Sequence, residues 1–108
     1  MSDKIEIINR LKRNVKSVLG DKIRDVILFG SYLRNEENEF SDLDVLIVTN
    51  NILSWEEKNI VRDVCADLSI DNETLIDSKI ISRQEIEKNF WGKHPIITDA
   101  LKEGVYAK

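Results

Sequence analysis

Two short apolar runs constrain this chain more than anything else in it. Val26-Ile27-Leu28-Phe29 ends in Gly30-Ser31, and Leu43-Asp44-Val45-Leu46-Ile47-Val48 is apolar apart from its second residue. Runs of this length without polar alternation read as strands with little solvent on either face. A chain that contains two of them must build a sheet and cover it with helices.

The rest of the sequence supplies those covers. From Asp3 to Leu19, the residues Ile5, Ile8, Leu11, Val15, Val18 and Leu19 recur at helical spacing, and Gly20 stops the element. Asp21-Lys22 makes a turn into a first strand over Asp25 to Phe29. Tyr32 to Asn35 reads as a short helical turn and Glu36 to Glu39 as an exposed charged loop. The second strand spans Leu43 to Val48 and breaks at Asn50-Asn51. Ser54-Trp55-Glu56-Glu57 has the form of a capping box and opens a helix with Ile60, Val61, Val64, Cys65 and Leu68 on one side. Thr74 to Ile81 reads as a third strand with Asp77 inside it. Ser82-Arg83-Gln84-Glu85 repeats the box before a short helix running through Phe90. Pro95 suits the first turn of a last helix, with Ile96, Ile97, Ala100 and Leu101 inward and Gly104 closing it. The fold class is α/β or α+β, a small sheet flanked by helices. The interval between the first two strands permits either a hairpin or a crossover.

Bulk properties narrow the function classes. The 108 residues hold one domain, spanning 1–108, and a 42% hydrophobic, 33% charged composition is that of a folded chain. A net charge of −4 argues against general affinity for nucleic acid or anionic membrane, and no apolar run is long enough to span a bilayer. Lys12, Arg13 and Lys16 read as a solvated helix face. A lone cysteine, Cys65, excludes an internal disulfide and fits a reducing compartment; with no apolar signal region at the amino terminus, the expected location is cytoplasmic. Cys65 itself reads as core packing, and His94, the only histidine, has no Cys or His cluster to make a zinc site. Trp55, Phe90 and Trp91 read as core or edge packing rather than a base-stacking platform.

The chemistry concentrates around the two strands. Asp42 and Asp44 are two apart at a strand entry, so both carboxylates project to one face. Such a pair is unfavourable without a cation, and Mg²⁺ is the hard, oxygen-seeking ion that also keeps substrate phosphates in its shell. Gly30 lets the backbone approach a ligand, and Ser31 before a helical turn adds N–H and hydroxyl donors for an anion. A carboxylate pair facing a phosphate cradle is equipment for nucleotidyl transfer. A solvated Asp-x-Asp and a simple serine cap explain each half alone; the correct spacing between apolar strands is what joins them. Arg34 reads equally as a phosphate contact or a surface ion pair.

Gly30-Ser31, ten residues, then Asp42-Leu43-Asp44 resembles the motif of the minimal nucleotidyltransferases, a branch of the DNA polymerase β-like superfamily. Arg34, Ser41 and the flanking apolar residues match its usual form, and Ile80 to Glu85 and Glu103-Gly104-Val105 resemble its closing elements. The resemblance implies a mixed sheet and a transfer of a nucleoside monophosphate from ATP or another NTP, dependent on Mg²⁺, with two ions. It implies that Gly30, Ser31 and Arg34 hold nucleotide phosphates and that Asp42 and Asp44 ligate metal and carry catalysis. A third carboxylate from a later strand is expected; Asp77 is the first candidate, with Asp71 and Glu73 as alternatives. It further implies a small helical HEPN protein as partner in a toxin–antitoxin pair, with a partner tyrosine as acceptor. A binding module that neutralises its partner by contact, and a small-molecule (antibiotic-type) nucleotidyltransferase, are the other classes the sequence admits. The oligomeric state is left open, a homo-oligomer included.

Overall fold

The computed structural model describes residues 2–29, 43–88 and 94–108. Helix α1 (Ser2–Leu19) passes through a 3₁₀ turn (Gly20–Lys22) into strand β1 (Ile23–Phe29). Strand β2 (Leu43–Thr49), helix α2 (Trp55–Asn72) and strand β3 (Ile76–Ser82) follow, then helices α3 (Arg83–Lys88) and α4 (Pro95–Glu103) and a two-residue strand β4 (Val105–Tyr106). The expected turn over 32–35 and loop over 36–39 lie outside the described residues, as do Phe90 and Trp91.

The strands form one mixed sheet in the order β3-β2-β1-β4. Strands β1 and β2 are antiparallel, which decides the open question of their pairing, and β2 and β3 are parallel with α2 as the connection. Strand β2 is central and buried along nearly its whole length, which is why its sequence is a continuous apolar run. Strand β4 pairs antiparallel with β1 through Ile27–Tyr106 and Leu28–Val105. Two residues carry no periodic signal, so β4 has no sequence counterpart in the element order above.

Pleating sends alternate residues to two separate cores. Val26, Leu28, Val45 and Ile47 pack beneath α1 and α2, against Ile8, Leu11 and Val15 of α1 and Val61, Cys65 and Leu68 of α2. Ile27, Phe29, Leu46, Val48 and Ile81 pack on the other face with Ile97 and Ala100 of α4, and Ile86 of α3 closes its margin. Each fully buried aliphatic side chain stabilises by about 1.5–3 kcal/mol, so packing rather than propensity holds these helices.

The helix ends form as their sequences dictate. Ser54 Oγ accepts from the Glu57 N–H at 3.1 Å while the Ser54 N–H donates to Glu57 Oε1 at 2.9 Å. Ser82 and Glu85 make the same reciprocal pair at 3.2 and 3.1 Å. Helix α4 has Pro95 in its first turn, capped by His94 Nδ1, which accepts from the Ile96 N–H at 3.2 Å.

Several expectations shift. Strand β1 starts two residues before Asp25, and β3 runs Ile76–Ser82 rather than from Thr74. Ile96 is 42% exposed, because a nine-residue helix on a sheet buries one stripe and that stripe is Ile97 and Ala100. Val18 is exposed because it lies off the stripe of Ile8, Leu11 and Val15, while its neighbour Leu19 still packs against the core. Trp55 is 73% exposed and is not core packing: it opens α2 off the line of Val61, Cys65 and Leu68. Lys12 is not wholly solvated, since its ammonium donates to the Ala107 carbonyl at 3.2 Å and ties α1 to the carboxyl-terminal segment. Cys65 is buried, and that burial pushes its thiol up from the ordinary value against a smaller opposing hydrogen bond from Ser78.

Candidate functional site

The antiparallel register brings the end of β1 to the start of β2, with Phe29 opposite Asp44. On the other side of β2, the parallel register pairs Asp44 with Asp77. Alternation places Asp44 with Leu46 and Val48, and Asp77 with Ile81, on the face covered by α3 and α4. The two carboxylates therefore leave neighbouring strands on one side of the sheet. Asp44 is partly buried and Asp77 exposed.

Of the residues singled out in the sequence, Gly30, Ser31, Arg34 and Asp42 lie outside the described residues. Gly30 follows Phe29 directly in the chain, and Asp42 immediately precedes Leu43. Asp71 and Glu73, the alternatives to Asp77, belong to the end of α2, which covers the opposite face; Glu73 is its left-handed cap, with φ of 51°. Asp77 alone among the three shares a face with Asp44.

The electrostatics of the pair are partly balanced within the protein. Lys79 follows two residues after Asp77 on the same face, and its ammonium lies 3.9 Å from Asp77 Oδ2. A cation beside one member of a like-charged pair offsets their repulsion. The donor set is all oxygen, which suits a hard divalent cation and not zinc. Among the described residues no group of three or more His, Cys, Asp and Glu side chains could by itself hold a metal, so Asp44 and Asp77 supply an incomplete set.

A cleft of about 380 Å³ lies along β3, and Lys79, the ion-pair partner of Asp77, is one of its lining residues. Leu46, Ile81 and Ile97 contribute apolar floor from the α4 side, and Lys58 and Arg62 reach it from α2 around the free edge of β3, with Lys79 between. Sequence reading missed this grouping. The only signal was the four-residue spacing of Lys58 and Arg62, which is ordinary for a solvated helix face.

Comparison with known proteins agrees with this architecture. The family described as the nucleotidyltransferase domain matches residues 5–106. A provisionally named protein adenylyltransferase of Methanocaldococcus jannaschii is 38% identical over 86 residues, covering 80% of this chain and 86% of that protein. A second from the same organism is 31% identical over 100 residues, covering 92% and 88%. Among solved structures, a provisionally named nucleotidyltransferase from Sulfolobus solfataricus superposes with a TM-score of 0.58 at 16% identity, over 82% of this chain and 75% of that one. A toxin–antitoxin structure with AMP-PNP superposes with a TM-score of 0.57 at 13% identity, over 91% and 70%. Those two likenesses speak for the fold; the family match across nearly the whole chain decides the class. The chain belongs to the nucleotidyltransferase domain family and is a nucleotidyltransferase.

Proposed function

We propose that this protein is an adenylyltransferase acting on a protein hydroxyl, with Asp42, Asp44 and Asp77 as its metal ligands and Gly30, Ser31 and Arg34 at the nucleotide phosphates. The observation that carries the reading is the register of Asp44 with Asp77 on one face of the sheet, at the end where Gly30 and Asp42 attach in sequence. The names of the M. jannaschii relatives support adenylyl transfer to protein.

The acceptor oxygen attacks the α-phosphorus of ATP, or of another NTP; the new O–P bond forms as the bond to pyrophosphate breaks, and the acceptor proton leaves with solvent or a carboxylate. Two Mg²⁺ ions, when bound, supply charge neutralisation at the phosphates and favour the deprotonated acceptor. The chain's own part is to hold carboxylate oxygens on one face and keep the reacting groups in line. The likeness to a toxin–antitoxin structure motivates the biological setting: a cytoplasmic antitoxin that modifies a tyrosine of a HEPN-type toxin. Label transfer from α-labelled ATP to the product of the neighbouring gene, in the presence of Mg²⁺, tests this directly. Loss of transfer in Asp42→Asn and Asp44→Asn is expected, and equal transfer by the variants would overturn the assignment.

The same likeness favours one other reading, neutralisation by complex formation alone. A double Asp42→Asn/Asp44→Asn variant that still protects cells from the partner would establish it.

A further inference from the structure

The cleft at the outer edge of β3 is lined by more cations than anions. The chain carries a net −4, yet Lys58, Arg62 and Lys79 converge on this one opening. Asp77 pairs with Lys79 at 3.9 Å, and Glu85, which also lines the opening, has its Oε1 occupied by the Ser82 N–H in the cap of α3. Neither Lys58 nor Arg62 has a carboxylate within ion-pairing distance among the described residues; the one polar contact Arg62 makes is to Asn59 Oδ1, at 3.5 Å. Two cations left unpaired beside an apolar floor suit an anionic ligand that also carries aliphatic or aromatic surface.

The position of the cleft says which ligand. The sheet order is β3-β2-β1, so β3 and β1 flank the carboxylate strand on opposite sides. Gly30 and Ser31, the phosphate-holding residues of the reading above, follow β1. Displacement at phosphorus keeps the attacking and departing oxygens roughly in line. With the pyrophosphate held on the β1 side, the acceptor approaches from the β3 side, over Asp77 and Lys79. The cleft begins there: Lys79 both lines it and lies 3.9 Å from Asp77. As the terminal strand of the sheet among the described residues, β3 also offers backbone N–H and C=O groups to an extended segment.

We infer that this cleft is the acceptor-docking subsite, and that it takes an extended acidic segment of the protein substrate flanking the hydroxyl to be modified. The inference rests on the protein-adenylyltransferase reading and names the chemistry of its acceptor. Lys58 and Arg62 read the acidic side chains, while the slightly exposed edges of Ile81 and Ile97 meet the apolar ring or chain next to them.

The test uses a short fluorescent peptide with a tyrosine flanked by Asp and Glu, and its Asn/Gln counterpart. Anisotropy is measured with the wild type, with Lys58→Glu/Arg62→Glu and with Lys58→Gln/Arg62→Gln, at low and high salt. The wild type is expected to bind the acidic peptide at low salt and to prefer it to the neutral one. The Glu pair should weaken that binding roughly tenfold or more, and the Gln pair by less. Binding of a fluorescent ATP analogue with Mg²⁺ should be unchanged in both variants. Equal binding of the two peptides, no binding of the acidic one, or indifference to charge reversal would overturn the proposal. So would loss of ATP-analogue binding on reversal, which would make the cleft a phosphate subsite. Failure of the wild type to bind the analogue would instead sink the adenylyl-transfer reading, and the peptide comparison would still be read independently. Because the peptide comparison uses the wild type, it does not depend on either variant folding.

Discussion

Asp44 and Asp77 are register partners across the parallel β2–β3 pair, with their side chains on the face that carries Leu46 and Ile81. Residues 33 apart in the chain thus present two carboxylates side by side, with Lys79 beside the outer one. Like charges across strands cost stability, which a folding role alone would not favour.

This placement separates activity from stability at Asp77. Asp77→Asn removes both the repulsion with Asp44 and the exposed pairing with Lys79, two terms of opposite sign and each below about 1 kcal/mol. Thermal stability without metal is expected to stay within about 0.5 kcal/mol of wild type, while adenylyl transfer falls on the order of 100-fold. Melting curves alongside a labelled-ATP assay check it; a variant that transfers as well as wild type removes Asp77 from the site.

Divalent metal should stabilise the folded protein through the same pair. A ligand present at about 100 times its dissociation constant adds about 2.7 kcal/mol when it binds only the folded state. Mg²⁺ is expected to raise the melting temperature of the wild type and to do so less in Asp44→Asn and Asp77→Asn. Identical shifts in all three proteins would place the metal elsewhere.

The cap of α2 makes a pH-dependent contribution. The Lys22 ammonium bonded to Glu57, and then the Ser54 N–H, hold this carboxyl below the usual carboxylate value. A depressed folded-state value means stability that is present above the unfolded value, near 4.5, and lost as pH falls through the lower folded one. Glu57→Gln should therefore melt below wild type at neutral pH, with the gap closing under acid conditions as the wild type protonates. A gap that stays constant across that window would deny the charge its role.

Gly104 is required for space rather than for backbone freedom. A Cβ there would overlap Ile27 Cγ2 and the Ala100 carbonyl oxygen and sit 3.0 Å from the Leu28 carbonyl, with β4 already tied to β1. Gly104→Ala is expected to destabilise by about 1–3 kcal/mol, the range for overpacking. Chemical denaturation measures this, and an unchanged midpoint would show that β4 yields freely.

Much of the fold was legible because its signals are local. Both capping boxes, at Ser54/Glu57 and Ser82/Glu85, and the Pro95 start of α4 depend on residues within one helical turn. The central position of β2 was legible too, since a strand buried on both faces must be apolar throughout. Trp55, Val18 and Ile96 misled because apolar identity does not say which stripe meets the sheet; only the line of Val61, Cys65 and Leu68, or of Ile97 and Ala100, does. Strand β4 was invisible because two residues define no period.

By itself, then, the sequence determined the helices, the three longer strands, both capping boxes and the two-residue spacing that singles out Asp42 and Asp44. It left the later carboxylate open among Asp71, Glu73 and Asp77 and did not reveal the cationic cleft at all. The tertiary structure put Asp77, and not the other two, on the face of Asp44 and brought the cleft together, for one reason: side-chain neighbours across a sheet depend on strand order and register. The parallel register of β3 against β2 sets Asp77 beside Asp44, and the edge position of β3 lets Lys58 and Arg62 of α2 reach Lys79.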